Sequence, residues 1–270
     1  MKQKKQKLIE RLVEMGACAD EKEAAARLMA GEVYINGQIA KNGATVTEKD
    51  AVTLKGVLPY ASKGGFKLAG ALRDFQVDVK GRVCVDAGAS TGGFTDCLCQ
   101  QGAELVYAVD VGFGQLMGKL RQNPHVINLE KTNISDEKLL TLEPKPTLGT
   151  VDCSYLSLRK AVPYFSAVLH GEGELVCLVK PLFEIDSAEA RRTGVIPEDA
   201  YLPLLYDLIR DINALPGTFV RDVTHSSVTG NAGTREFFLH VLLGTPCGAV
   251  PEERIAQAVQ RAGELEKYKK

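Results

Sequence analysis

Residues 83–98 read VCVDAGASTGGFTDCL. A short apolar, β-branched run ends at Asp86, glycines follow at 88, 92 and 93, and a helix-forming stretch then begins. Strand, glycine-rich turn and helix start form the opening unit of an open parallel sheet, in which ligands bind at the carboxyl ends of the strands. Glycines let a ligand approach the backbone, and the first helical turn offers unpaired N–H donors. The spacing is D-x-G-x-x-x-G-G, which departs from the G-x-G-x-x-G of dinucleotide sites. The next apolar run ends in Asp110, where an acidic side chain can accept hydrogen bonds from both hydroxyls of a ribose.

The same pattern continues on both sides. RVCVDAG, LVYAVDVG, HVINLE, TLGTVDCS, ELVCLVKP, FVRDVTHS and REFFLHVLLG read as strands. Helices are expected between most of them, around 95–101, 115–121, 156–169 and 200–214. Apolar strands alternating with helices imply a mostly parallel sheet covered on both faces, the last two strands forming an antiparallel pair. Residues 1–55 read as a separate small unit. A basic amphipathic helix over about 7–15 precedes a second helix, with Asp20 as N-cap and Glu23 as its capping-box partner. A hairpin at Asn36-Gly37 and a strand in AVTLK complete it. The stretch 56–63 reads as a linker and 64–250 as the larger domain. Gly64-Gly65 is expected in a loop, with a helix from about Phe66 to Phe75. The charged tail 251–270 is expected to be a solvated helix.

Composition narrows the class. The 270 residues carry 45% apolar and 25% charged side chains, ordinary for a globular protein that needs no disulfides. No apolar run reaches the roughly 18–20 residues of a membrane span, and MKQKKQKLIERL has no apolar signal core. Seven cysteines in no metal-ligand spacing suggest free thiols in a reducing cytoplasm and no metal site. Thirty-three basic residues against thirty-four acidic ones argue, taken alone, against a nucleic-acid binder.

Four charged residues stand where such a sheet would gather them. Lys67 precedes the first long strand, Asp152 ends the fourth, Lys180 ends the fifth and Glu236 begins the last. A strand-end lysine after ELVCLV would be partly desolvated. Burial and a second lysine both favour the neutral amine that a general base requires. The alternative is four unrelated salt-bridge residues.

With these stretches assembled, the chain resembles the TlyA family of rRNA 2′-O-methyltransferases, also labelled haemolysin A. The resemblance rests on YASKGGFKL, DAGASTGGFTDCL, AVDVGFGQL, EKTNI, DCSYLSL, VKPLFE and GTREFF, and runs from about residue 7 to 244. It implies a Rossmann-like, seven-stranded, mostly parallel FtsJ-like methyltransferase sheet and a small N-terminal α+β RNA-binding domain of the ribosomal-protein-S-four type. It further implies S-adenosylmethionine as cofactor and ribosomal RNA, in ribosomal subunits, as partner. The reaction would be methylation of a ribose 2′-hydroxyl, with cytidine as the implied nucleoside. Lys67, Asp152, Lys180 and Glu236 fall on the family's catalytic tetrad. Ser62, Gly88, Ser90, Gly92, Gly93 and Phe94 fall on the methionine side of the cofactor site, with Asp152. Asp110 falls at the ribose, and Asn133 and Ile134 fall near the adenine. Lys4, Lys5, Lys7, Arg11 and Lys63 are the candidate RNA contacts. The chain departs from the family at Lys63, where arginine is usual, at Ser227 and Thr234 in the loop before the last strand, and in the acidic second helix. Two other classes stay open: a membrane-active cytolysin, and a non-catalytic RNA-binding regulator that kept the fold.

His125 and His240 read as core residues, Cys84, Cys153 and Cys177 as small buried hydrophobes, and Tyr155 as a ring that stacks on a base or packs. Residues 1–55 hold ten basic and eight acidic side chains, four of the basic ones in the first seven positions. Binding to short unstructured RNA is therefore expected to be weak and salt-sensitive. Filter binding across a salt series checks this, and tight, salt-independent binding would contradict it.

Overall fold

A computed structural model describes residues 5–36, 38–47, 50, 52–54, 60–230 and 233–265. Lys4 and Gly37, read above as an RNA contact and a hairpin glycine, lie outside the described residues. The chain divides into two compact units, Met1–Pro59 and Tyr60–Lys270. Ser62 and Lys63 thus fall in the second unit.

The first unit holds β1 (Gln6–Lys7), α1 (Leu8–Glu14), α2 (Glu21–Met29), β2 (Val33–Ile35), β3 (Gln38–Ile39), β4 (Thr45–Val46) and β5 (Val52–Leu54). Asp20 caps α2 by accepting the Glu23 N–H at 2.8 Å, and Glu23 reciprocates by accepting the Ala19 N–H at 2.8 Å. That reciprocal bonding satisfies donors the helix start leaves open. Tyr34 of β2 faces Ile39 of β3 across the hairpin, and β2 also pairs with β5. A short β1–β4 pair, too brief to show in the sequence pattern, closes the unit. Leu8, Leu12, Ala24, Leu28, Val33 and Val46 form its buried core.

The second unit contains α3 (Lys63–Phe75), β6 (Val83–Ala87), α4 (Gly93–Gln100), β7 (Leu105–Val109), α5 (Gly118–Arg121), β8 (Val126–Leu129) and β9 (Leu148–Val151). Then come α6 (Leu158–Val168), β10 (Gly173–Val179), α7 (Pro181–Glu184), α8 (Ala188–Thr193), α9 (Tyr201–Asn213), β11 (Thr218–His225), β12 (Phe237–Leu243) and α10 (Glu252–Glu264). The seven strands lie in the order β11-β12-β10-β9-β6-β7-β8. β12 is antiparallel to both β10 and β11, while β10, β9, β6, β7 and β8 are mutually parallel. The order in which successive strands are added reverses between β6 and β9, at the crevice where open α/β sheets hold ligands.

Two cores sandwich the sheet. One joins Val85, Val109, Val151, Cys177, Phe237 and Leu239 to Phe165 of α6 and to Leu205 and Leu208 of α9. The other joins Cys84, Val106, Leu148, Val176 and Phe238 to Leu68 and Leu72 of α3 and Leu98 of α4. Alternate residues of each strand serve the two faces, as the pleat requires.

The structure corrects several local readings. Gly64 and Gly65 are helical, because Ser62 caps α3 by accepting the Gly64 N–H at 3.2 Å. These glycines allow close packing. A Cβ on Gly65 would lie 2.1 Å from Tyr60 Cγ, and one on Gly93 would lie 2.1 Å from Ser62 Oγ. α5 is one short turn that begins only at Gly118, within the expected helix over 115–121. His125 is exposed just before β8, its Nδ1 2.8 Å from the Glu104 carbonyl. Cys153 is only half-buried. α10 buries Ile255, Ala258 and Ala262 against the larger core, so the tail is not wholly solvated.

His240 is a core residue as read, stacked on Phe75 with its Nε2 2.6 Å from Glu174 Oε2. Burial alone would raise the Glu174 carboxyl, but hydrogen bonds from His240 and Arg82 outweigh it and hold the group at about 2. A depressed carboxylate stabilises the fold above its ordinary range, near 4.5, and that stability drains away as pH falls toward 2. Glu174→Gln is expected to flatten the acid limb of a stability-versus-pH curve. The loss should be present near pH 6 and absent near pH 2. Urea titrations from pH 2 to 7 check this, and an unchanged acid limb would exclude the account.

Candidate active site

The carboxyl ends of the parallel strands carry the site. Ala87 of β6 is in register with Val109 of β7 and with Val151 of β9, so Gly88, Asp110 and Asp152 emerge side by side. Val179 of β10 faces Phe237 of β12, which places Lys180 beside Glu236 although β12 runs the opposite way. Lys67 reaches the same place from α3.

These four side chains form two ion pairs. Lys67 Nζ lies 2.5 Å from Glu236 Oε2, and both side chains are about nine-tenths buried. Lys180 Nζ lies 2.6 Å from Asp152 Oδ1 and donates to Ser154 Oγ at 3.1 Å. Burial pushes the Glu236 carboxyl up from its ordinary range, while the Lys67 ammonium pulls it back down. Each lysine therefore has its own carboxylate, and all four residues line one cavity of about 310 Å³. Tyr155, Phe183, Ile196 and Arg235 form its outer wall.

Two further cavities meet this one at Asp152. The first, about 360 Å³, is lined by Ser62, Lys63, Gly88, Ser90, Gly93 and Phe94, with Lys67 and Asp152. Thr229 and Gly230, from the loop before β12, also line it and were not foreseen from the sequence. The second, about 620 Å³, is lined by Gly88, Ser90, Asp110, Asn133, Ile134 and Asp152. Val111, Gln115 and Tyr164 join that wall; Val111 and Gln115 lie in the quoted stretch AVDVGFGQL, whereas Tyr164 had no sequence signal. The predicted cofactor residues thus share one continuous cleft, Gly92 excepted. Gly92 lines neither cavity; it makes the left-handed turn (φ 98°) at the start of α4, with Leu116 and Leu120 packed on it.

The turn geometry explains the glycine spacing. Gly88 has φ 83°, and a Cβ there would sit 2.5 Å from the Asp152 carbonyl oxygen. Asp110 Oδ2 accepts the Ser90 N–H at 2.7 Å, and Oδ1 accepts the Gly112 N–H at 2.7 Å. Each carboxylate oxygen keeps further acceptor capacity for a ribose hydroxyl. Asp86 has a structural place. It is fully buried, accepts hydroxyl bonds from Thr95 at 2.7 Å and Thr150 at 2.9 Å, and is pushed up to about 7 by burial. Asp86 therefore ties β6 to α4 and β9 and contacts no cavity. The loop before β12 is pinned by Ser227, whose hydroxyl donates to the Phe66 carbonyl at 2.9 Å.

Of the candidate RNA contacts, Lys63 lines the glycine cavity, Lys5 is exposed, Lys7 pairs with Glu10 at 3.6 Å and Arg11 pairs with Glu14 at 3.1 Å. Among the described residues no helix is long and apolar enough to cross a membrane, and no His, Cys, Asp and Glu cluster could hold a metal ion.

A parallel sheet with this strand order, a glycine-lined cleft at its switch point and an adjoining lysine–carboxylate cavity defines a group-transfer α/β protein of the methyltransferase type. The chain belongs to the FtsJ-like methyltransferase family, whose model matches residues 60–241. It is 36% identical to the candidate rRNA methyltransferase YqxC of Bacillus subtilis, across 100% of this chain and 98% of that one. It is 34% identical to the 16S/23S rRNA (cytidine-2′-O)-methyltransferase TlyA of Mycobacterium tuberculosis, across 93% and 94%. A solved structure of a candidate hemolysin from Streptococcus thermophilus superposes with a TM-score of 0.71 at 32% identity, covering 96% of both chains.

Removing one partner of a buried ion pair leaves an uncompensated charge, at a cost of about 3–5 kcal/mol. Lys67→Met is expected to destabilise the second unit by that amount, and adding Glu236→Gln should restore most of it. Equal urea midpoints for the single and double variants would contradict a buried pair.

Proposed function

We propose that this chain methylates a ribose 2′-hydroxyl of ribosomal RNA with S-adenosylmethionine as methyl donor. The observation that carries the reading is the junction at Asp152, where a glycine-lined cleft suited to a nucleoside meets a cavity holding two lysine–carboxylate pairs. The residues present fit that cofactor. Asp110 suits the ribose hydroxyls, Asn133 and Ile134 suit the adenine, and Ser62, Ser90 and Gly93 suit the amino-acid end. When bound there, the cofactor supplies a methyl group already activated on a sulfonium.

The chain's own residues then position the acceptor and handle its proton. Lys180 is the proposed general base: its ammonium, paired with Asp152, first gives a proton to solvent, and the neutral amine then accepts the 2′-hydroxyl proton at Nζ while Asp152 holds it in place. Lys67 supplies a second positive charge to the same cavity and is held by Glu236. Positioning in such a cavity can contribute about 7–11 kcal/mol where the alignment is good. Tyr155 is 90% exposed at the rim and offers a flat face to a base. The cytidine in the names of relatives makes cytidine the proposed nucleoside.

The first unit is proposed as an RNA-binding domain of the ribosomal-protein-S-four type. Its exposed ion pairs, Lys7–Glu10 and Arg11–Glu14, are weak enough for a phosphate to replace the carboxylate. The hemolysin name of a Brachyspira hyodysenteriae relative keeps a lytic reading in view. Lysis of cells by purified Lys180→Ala protein would support that reading.

The decisive test is transfer of labelled methyl groups to ribosomal subunits. The modified nucleotide can be mapped by its resistance to alkaline cleavage. Lys180→Ala is expected to retain its fold and its calorimetric affinity for S-adenosylmethionine while losing transfer by at least about 100-fold. Normal turnover in that variant would remove Lys180 from the mechanism, and no transfer by the unaltered chain would overturn the proposed function.

A further inference from the structure

The lysine proposed as base has a second acceptor that neither the strand-end pattern nor the tetrad accounts for. Lys180 Nζ is 2.6 Å from Asp152 Oδ1 and 3.1 Å from Ser154 Oγ, while the Asp152 main-chain oxygen is more distant at 3.4 Å. A neutral amine has two N–H bonds and one lone pair. A single acceptor leaves the group free to turn about Cε–Nζ, so the lone pair sweeps a cone. The two shorter acceptors take both N–H bonds of the neutral amine, so its lone pair no longer sweeps a cone. Lys180 lines the 310 Å³ cavity, so the direction of the lone pair matters for any hydroxyl seated there.

The segment that follows Ser154 is held at two points. Tyr155, the next residue, has φ 65°, a left-handed conformation that non-glycine residues adopt only where surroundings impose it. Its ring rests 5.0 Å from the Phe183 ring of α7. Further along, Glu184 of α7 reaches the start of α6, accepting from Ser157 Oγ at 2.7 Å, the Leu158 N–H at 2.7 Å and Arg159 Nη1 at 2.9 Å. The Glu184 side chain is 2% exposed. The segment carrying Ser154 and the turn following Lys180 are thus fastened together at two points. Ser154 itself is exposed, and these fastenings fix the backbone from which its hydroxyl reaches Lys180.

We infer that Ser154 is a positioning residue for the reaction: its hydroxyl oxygen accepts one N–H of Lys180 and directs the amine lone pair at the acceptor hydroxyl. The inference rests on the proposed ribose methylation with Lys180 as base. It makes Ser154 act through Lys180 and not through the cofactor or the RNA.

The test compares Ser154→Ala and Ser154→Thr with the unaltered chain in methyl transfer to ribosomal subunits at saturating S-adenosylmethionine, from neutral to alkaline pH. Ser154→Ala is expected to lower kcat about 10- to 100-fold. KM for subunits and calorimetric affinity for S-adenosylmethionine should stay within about two-fold, since the proposed role is one of alignment. The loss should persist at alkaline pH, because orientation is needed even when the amine is already neutral. Ser154→Thr, which keeps the hydroxyl, should recover most of the rate. Unchanged kcat in the alanine variant, a loss confined to KM or cofactor affinity, a loss that vanishes at alkaline pH, or no recovery with threonine would each overturn the inference. If the unaltered chain transfers no methyl to ribose, or Lys180→Ala keeps full activity, the underlying reading fails instead.

Discussion

The contact between Lys67 and Glu236 closes the second unit on itself. Lys67 is on the first helix of that unit and Glu236 precedes its last strand, so the pair spans 169 positions of sequence. It cannot form until β12 has inserted between β10 and β11, because only then does Glu236 reach the carboxyl end of β10. Two buried charges in a region of low dielectric are costly apart and tolerable together. The pair therefore favours the one arrangement of α3 and β12 in which the cavity exists. The Ser227 hydroxyl on the Phe66 carbonyl reinforces it from the neighbouring loop.

A second constraint operates where β6 and β9 separate. Asp86 holds the start of α4 through Thr95 and holds β9 through Thr150, so the two strands cannot shift against each other. One residue beyond β6, Gly88 lets the Asp152 carbonyl come closer than any side chain would permit. That approach brings the glycine cleft and the lysine cavity into contact at Asp152, with Lys67 shared between them. Asp152 borders all three cavities, which lets one carboxylate influence both the bound nucleoside and Lys180. Ser62 and Gly93 do the equivalent work on the opposite wall, where the starts of α3 and α4 pack together without intervening side chains.

Much of this was legible before any coordinates, because strand-end positions depend mainly on period and on breaks in the apolar pattern. Seven apolar runs became seven strands, and the three charged residues at their ends converge with Lys67 of α3. What the sequence concealed depended on contacts between distant segments. Gly64-Gly65 resembles a loop locally, yet Tyr60 and Phe94 pack where side chains would have been, and helix is the result. Asp86, legible only as the end of a strand, is turned by alternation along β6 toward Thr150. Thr229 and Gly230 line the glycine cleft from a loop far along the chain, and no local motif marks such residues. The partition of the tetrad into two pairs was also hidden, since spacing shows which residues meet but not which carboxylate each lysine takes.

The near-neutral charge of the chain follows from the same partition. Each lysine of the cavity is matched by its own carboxylate, and Arg82, Lys119 and Arg159 are likewise matched by Glu174, Asp96 and Glu184. A net charge near zero therefore records pairing and not a shortage of cations. The pairs differ in how readily they exchange partners. An exposed pair such as Lys7–Glu10 is worth about 0–1 kcal/mol, so an RNA phosphate can displace the carboxylate at little cost. A buried pair such as Lys67–Glu236 cannot exchange without stranding a charge, so it keeps its geometry while the surface pairs yield. One balanced composition can in this way serve two needs, with labile cations for a polyanionic partner and fixed ones around the reacting group.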